Sequence, residues 1–147
     1  MKTPIVTLLA ALALIVPAFA GDAHEKNEAG PNGGRVIQTV DPKAEFFVTK
    51  DRKVQITFLD KEGKAIEPAA QVVTVTAGER SAPVKLTFVK EGTALISEQT
   101  FPEGNLVPTV VQIKVTPEAK AVVEKFNANM AECPGCKLSE YACTCAH

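Results

Sequence analysis

The sequence lacks a strong excess of charge of either sign. It carries 16 lysine and arginine residues against 17 aspartate and glutamate residues, for a formal net charge of −1 over 147 residues. Binding to nucleic acid needs a concentrated basic surface, so this balance argues against nucleic acid as a partner. At 46% apolar residues the chain is also too hydrophobic for a disordered protein, and its length suits one domain.

After its first 20 residues, the sequence lacks any long apolar run. Lys2 is followed by an apolar stretch over residues 5–16 and then by Ala-Phe-Ala at 18–20, which fits a signal-peptidase site. That stretch is too short to cross a bilayer of about 30 Å as a helix. We therefore expect residues 1–20 to be a signal peptide. The mature chain is expected to be periplasmic or secreted, without membrane insertion, and to begin with a polar, flexible leader over residues 21–32.

Residues 33–116 form a series of short segments in which apolar and polar residues alternate. Alternation with a period of two is typical of antiparallel sheets that are packed on one face. About seven such strands predict an all-β fold, a seven-stranded immunoglobulin-like antiparallel sandwich. The predicted core consists of ten inward-facing side chains: Phe46, Val54, Ile56, Phe58, Val73, Val75, Leu86, Phe88, Val111 and Ile113.

The segment after the predicted sandwich has apolar residues at helical spacing. Thr116 suits an N-cap, and Pro117 suits the first helical position because its missing N–H needs no partner there. The apolar stripe consists of Ala119, Val122, Val123, Phe126 and Met130. The pattern predicts one C-terminal helix over residues 117–132. We expect residues 33–132 to fold without the segment that follows.

All four cysteines lie in the last fifteen residues, which we call the Cys-rich tail (133–147). A C-x2-C pair and a C-x-C pair can each direct two sulfurs to one point. Four thiolates at about 2.3 Å form a tetrahedral zinc site, and soft sulfur ligands also suit Cu⁺. The spacing predicts that one Zn²⁺ or Cu⁺ ion is bound by Cys133, Cys136, Cys143 and Cys145, with His147 as an auxiliary ligand.

Two disulfides are the alternative interpretation of this tail. An exported protein reaches an oxidising compartment, where an even number of cysteines usually pairs. The regular spacing favours four converging ligands over two bridges. Redox catalysis is favoured less than either, since Cys133 follows the predicted helix instead of opening one. The two histidines, His24 and His147, lie in the terminal segments, so we assemble no catalytic set and predict that the protein is not an enzyme.

One segment also carries a family resemblance. It reads Gly-Pro-Asn-Gly-Gly-Arg-Val-Ile over residues 30–37 and is followed by an Ala-Glu-Phe-Phe strand and a hairpin turn over residues 60–65. It resembles the N-terminal β-sandwich region of periplasmic adaptor subunits from heavy-metal efflux pumps of the resistance-nodulation-division class. The similarity covers residues 24–70, and the family commonly has a histidine where this chain has Asn32. The resemblance implies a small envelope protein concerned with metal ions, with an efflux component as its partner.

These observations leave two functions open. The first is an exported metal-binding protein that buffers, senses or delivers zinc or copper. The second is a disulfide-stabilised envelope protein whose sandwich binds another protein and whose tail is purely structural.

Overall fold

The computed structural model describes residues 27–145, which form ten strands and one short 3-10 helix. The predicted signal peptide, His24 and His147 lie outside the described residues. The helix spans Glu140–Ala142. The strands are β1 (Arg35–Ile37), β2 (Lys43–Val48), β3 (Val54–Leu59), β4 (Ala65–Ile66), β5 (Val72–Ala77), β6 (Val84–Leu86), β7 (Phe88–Glu91), β8 (Ala94–Ser97), β9 (Leu106–Lys114) and β10 (Val122–Asn129).

The strands form two antiparallel sheets that share one core. The first sheet has the order β1-β2-β3-β8-β7, with β4 paired to β3, and the second has the order β10-β9-β5-β6. Nine of the ten predicted core side chains are buried in one cluster that draws on both sheets, and Phe88 is partly buried against it. The all-β class is therefore confirmed. The sequence predicts this class because alternation makes one face of each sheet apolar, and the two apolar faces are buried against each other.

The predicted seven-stranded, immunoglobulin-like arrangement is not confirmed, since the described residues contain ten strands. One cause lies in residues 84–88, which the alternation predicts as a single strand. In the structure β6 pairs with β5 in the second sheet and β7 pairs with β8 in the first. The chain therefore crosses between the sheets at Thr87, where the Glu98 N–H donates to the Thr87 carbonyl at 2.8 Å.

The predicted helix over residues 117–132 is wrong, because half of that segment is strand β10, paired with β9 over its whole length. Val122, Phe126 and Met130 are four positions apart, a spacing that returns to the same face of a helix and also of a strand. Val123 lies on the predicted helical stripe but not on the strand face that these three residues share, and it is 47% exposed. Pairing of one edge of β10 with β9 decides between the two patterns, and as a strand the segment packs Val122, Phe126 and Ala128 against the shared core.

The segment that carries the family resemblance forms a loop around a buried carboxylate. Glu45 of β2 is 0% exposed and accepts hydrogen bonds from the backbone N–H of Asn32 (2.9 Å), from the Asn32 amide (2.7 Å) and from the backbone N–H of Gly34 (2.8 Å). A Cβ added at Gly30 would lie 2.3 Å from the carboxyl carbon of Glu45, so only glycine permits this approach. In this chain Asn32 therefore binds the Glu45 carboxylate through two hydrogen bonds.

We predict that Glu45→Ala lowers the free energy of unfolding by about 3 kcal/mol, because the buried Gly34 N–H and the two donors of Asn32 lose their charged acceptor. Glu45→Gln keeps the shape and one acceptor oxygen, and it should cost less. Denaturant unfolding measures both changes. The control is Glu62→Ala at an exposed position, which should change stability by less than about 0.5 kcal/mol. Equal effects at residues 45 and 62 would contradict the role given to the loop.

Candidate metal centre

The Cys-rich tail lies against the side of the molecule where β1 and β10 meet. Its 3-10 helix contacts both strands and places Tyr141 and Ala142 in the core, where they are 4% and 0% exposed. The Val48 N–H donates to the Tyr141 hydroxyl at 3.0 Å. The Tyr141 ring stacks on Phe126 with its centroid 6.5 Å away. The tail is therefore fixed to the sheets by its own middle segment.

The first cysteine pair lies on a tight turn, residues 133–138, which we call the knuckle. The Lys137 N–H donates to the Cys133 carbonyl at 2.9 Å, and the Cys133 N–H donates to the Leu138 carbonyl at 2.7 Å. Lys137 has φ 63°, in the left-handed region that closes such a turn. The Cys136 sulfur lies 3.6 Å from that of Cys143. The knuckle thus directs Cys136 toward the second cysteine pair.

The second pair follows the 3-10 helix directly. Cys143 is the C-cap of that helix, and its N–H donates to the Glu140 carbonyl. Its side chain is buried, whereas that of Cys145 is half-buried. The Cys145 N–H donates to the Cys143 sulfur at 3.3 Å. The Glu140 N–H donates to the Ala131 carbonyl at 2.8 Å, which ties this end of the tail to the start of the knuckle.

The four sulfur atoms converge on one point. The Cys133–Cys143, Cys136–Cys143 and Cys133–Cys145 sulfur separations are 3.3, 3.6 and 3.9 Å, and all four sulfurs lie within 4.8 Å of one another. A tetrahedral zinc ion with Zn–S bonds of about 2.3 Å separates its sulfurs by about 3.8 Å. A disulfide needs about 2.05 Å, and all four cysteines are free thiols. The cluster therefore has the size of a four-sulfur metal site.

The surroundings of the cluster shift the pKa values of three of its thiols, and not all in the same direction. Hydrogen bonds from the backbone N–H groups of Leu138 and Thr144 lower the pKa of Cys136 to about 6. Burial and the neighbouring Cys133 thiol raise the pKa of Cys143 to about 12. At Cys145 the contact with Cys143 lowers the pKa, but those with Cys136 and Cys133 outweigh it and raise the pKa overall. At neutral pH Cys136 is the thiolate that meets an incoming cation, while Cys143 and Cys145 still carry protons.

The structure thus brings together all four predicted cysteine ligands, and it identifies one residue that sequence reasoning missed. A Cβ added at Gly135 would lie 2.8 Å from the Cys145 sulfur. Real Cβ atoms do not approach a sulfur so closely, so the Cys145 side chain occupies this place because residue 135 has none. The only signal in the sequence is the Pro-Gly dipeptide inside the C-x2-C pair.

We predict that Gly135→Ala weakens metal binding about tenfold, which corresponds to about 1.4 kcal/mol, because the new methyl group displaces the Cys145 sulfur. Competition with a chromophoric chelator measures the change. Lys137→Gly is the matched control, since it alters the same knuckle, adds no atom and suits a left-handed residue. If the alanine variant binds as tightly as the glycine control, the contact between residues 135 and 145 has no bearing on the site.

Comparison of the chain with protein-family models, with curated proteins and with solved structures found no match. Over residues 27–145, no helix has the length and hydrophobicity that crossing a membrane requires. The fold and the site together define an all-β protein with a four-cysteine group that can hold one metal ion.

Proposed function

We propose that the protein is an exported metal-binding protein of the cell envelope. It binds one Zn²⁺ or Cu⁺ ion through Cys133, Cys136, Cys143 and Cys145, with His147 as an auxiliary ligand. The observation that carries the proposal is the convergence of four free thiols within 4.8 Å of one another. The apolar segment and small-residue site of residues 1–20 support export.

Zinc is the ion that the geometry favours. Four sulfur ligands in a tetrahedral arrangement are typical of zinc sites. Three of the sulfur separations, 3.3, 3.6 and 3.9 Å, lie within about half an ångström of the tetrahedral value of about 3.8 Å, and all four sulfurs lie within 4.8 Å of one another. Soft thiolates also suit Cu⁺, so binding of copper instead of zinc is the other outcome that the proposal accommodates.

The role that we propose is buffering, sensing or delivery of the ion, not catalysis. Two of the four thiols are half-buried, so the site lies close to solvent and a bound ion can exchange with an acceptor. The resemblance to efflux adaptor subunits in residues 24–70 supports an envelope efflux component as the partner. Delivery between that component and this protein would use the same four cysteines.

Titration of the reduced, metal-free protein with Zn²⁺ tests the proposed function. We expect one equivalent to bind, and a variant with all four cysteines replaced by serine should bind none. Cu⁺ is then offered in competition to rank the two ions. If the reduced parent takes up neither zinc nor copper, the proposal is wrong, and the disulfide-stabilised interaction protein takes its place.

The pH dependence of binding follows from the pKa values of the metal-free thiols. Each metal-bound sulfur is a thiolate, so uptake releases the protons that Cys143 and Cys145 hold at neutral pH. The affinity should therefore fall as the pH falls. Below about pH 6, Cys136 is protonated as well, and the slope of log Kd against pH should steepen by one proton. Calorimetry in buffers between about pH 5 and 8 measures that slope, and a constant slope would contradict the state given to Cys136.

A further inference from the structure

We propose that Cys145 is the exchangeable ligand of the cluster. Cys133, Cys136 and Cys143 hold the ion, and Cys145 leaves it to admit a thiol group from an acceptor. The inference rests on the proposed metal-binding function and adds to it the route by which the ion is handed on. It follows from differences in burial and anchoring among the four sulfurs.

Cys133 and Cys136 are held by the knuckle. Cys133 is 0% exposed, and its backbone N–H and carbonyl both make hydrogen bonds within the turn. Cys136 is half-exposed, but it lies inside the turn that the Lys137 N–H closes on the Cys133 carbonyl at 2.9 Å, and its sulfur is 3.6 Å from that of Cys143. Displacing either sulfur from the ion requires the turn itself to open.

Cys143 is held by the core. It directly follows Ala142 and is two residues from Tyr141, both of which are buried against the sheets. Its own sulfur is buried and receives the Cys145 N–H at 3.3 Å. Moving this sulfur away from the ion would pull the short helix from its place beside β1 and β10.

Cys145 has neither kind of anchor in the described part of the chain. It lies two residues beyond the buried Cys143, its side chain is half-buried, and its sulfur is 3.9 Å from that of Cys133. The sulfur packs where Gly135 has no side chain. When Cys145 moves, residue 135 presents only backbone to an incoming ligand, so the open position is accessible to a small thiol.

The exchange step is a ligand substitution without oxidation or reduction. The sulfur of an incoming thiol bonds to the ion, and the bond between the ion and the Cys145 sulfur breaks. The proton of the incoming thiol passes to the Cys145 thiolate, directly or through water. The ion keeps its charge and remains bound by four thiolates, three from the protein and one from the acceptor. An acceptor that supplies three more thiols completes the transfer by repeating the step at each of the three remaining cysteines, with one thiol replacing one cysteine each time.

Cobalt(II) is the probe for a test, because the intensity of its sulfur-to-metal charge-transfer band rises with the number of thiolate ligands. All variants carry His147→Ala, so that the histidine cannot fill a vacant position. We expect Cys145→Ser to bind one Co²⁺ with about three-quarters of the band of the parent, a fourth ligand being absent from a tetrahedral set. Added 2-mercaptoethanol should restore the full band. Cys143→Ser is the matched comparison, and in it the thiol should restore nothing.

Alkylation of the unaltered, zinc-loaded protein gives a second test that does not depend on variants. N-ethylmaleimide should modify Cys145 before the other three cysteines, as peptide mass spectrometry will show. The inference is overturned if Cys136 reacts first, if all four react together, or if Cys145→Ser loses cobalt as Cys143→Ser does. These results leave one-to-one binding by the parent intact, whereas failure of the parent itself to bind refutes the proposed function.

Discussion

Replacing Cys143 by serine should abolish stoichiometric zinc binding, whereas His147→Ala should only weaken it. Cys143 is the sulfur closest to its neighbours, at 3.3 Å from Cys133 and 3.6 Å from Cys136, and it is fixed by the core segment beside it. A serine oxygen is a harder and less acidic ligand than a thiolate, and at this buried position no other side chain can replace it. Isothermal titration calorimetry of the reduced proteins gives the stoichiometry and affinity of each variant.

Ser139→Ala is the matched control for these substitutions. Ser139 lies in the same tail and precedes the short helix, but its side chain makes no capping hydrogen bond. Its variant should bind one equivalent of zinc with the affinity of the parent. If Cys143→Ser also bound one equivalent with that affinity, the four-sulfur site would be refuted.

The second large effect is expected at Tyr141. Tyr141→Ala should destabilise the whole domain by about 3–5 kcal/mol, even without metal, because it empties a large aromatic site in the core. The ring meets Phe46 edge-on at 5.8 Å and stacks on Phe126 at 6.5 Å. Tyr141→Phe keeps the ring and removes only the acceptor for the Val48 N–H, so it should cost about 1 kcal/mol. Denaturant unfolding of metal-free protein measures both.

This prediction bears on the expectation that residues 33–132 fold without the tail. Because Tyr141 and Ala142 belong to the core, removing the tail should lower the stability of the sheets, though the remaining core is large. Equal stability of the parent and Tyr141→Ala would show that the tail only rests on the surface.

The same coupling should make zinc stabilise the sheets. At a free zinc concentration about a thousand times Kd, the gain is about 4 kcal/mol. Addition of a chelator to the zinc-loaded protein should therefore lower its melting temperature, while Cys143→Ser should show no change with chelator. If the melting temperature of the parent is the same with and without zinc, the coupling between the site and the sheets is contradicted.

The strands of the core could be predicted because their signal is local. In β3 and β5, apolar and polar residues alternate, and one face had to be buried. Strand β10 could not be predicted in this way, because Val122, Phe126 and Met130 fit a helix and a strand equally well. Pairing with β9 makes this segment a strand, and the residues of the segment alone do not predict that pairing.

The candidate site divides in the same way. Cysteine is a metal ligand wherever its thiolate is accessible. Four cysteines at C-x2-C and C-x-C spacing therefore predict a metal site without knowledge of the fold. The contact of Gly135 with Cys145 and the anchoring of Tyr141 beneath Val48 depend on chain segments that meet only after folding. The burial of Glu45 could not be predicted for a related reason. A charged residue in a strand is usually solvated, and here a loop from elsewhere in the chain covers it.

The most direct test of the metal-binding claim is the intact mass of the protein isolated from its native compartment, measured both native and denatured. We predict a native mass that exceeds the denatured mass by one zinc or copper ion less the protons that binding releases, with a denatured mass that corresponds to four intact thiols. A denatured mass lighter by four hydrogen atoms, two for each disulfide among the four cysteines, together with no metal in the native protein, would contradict the account.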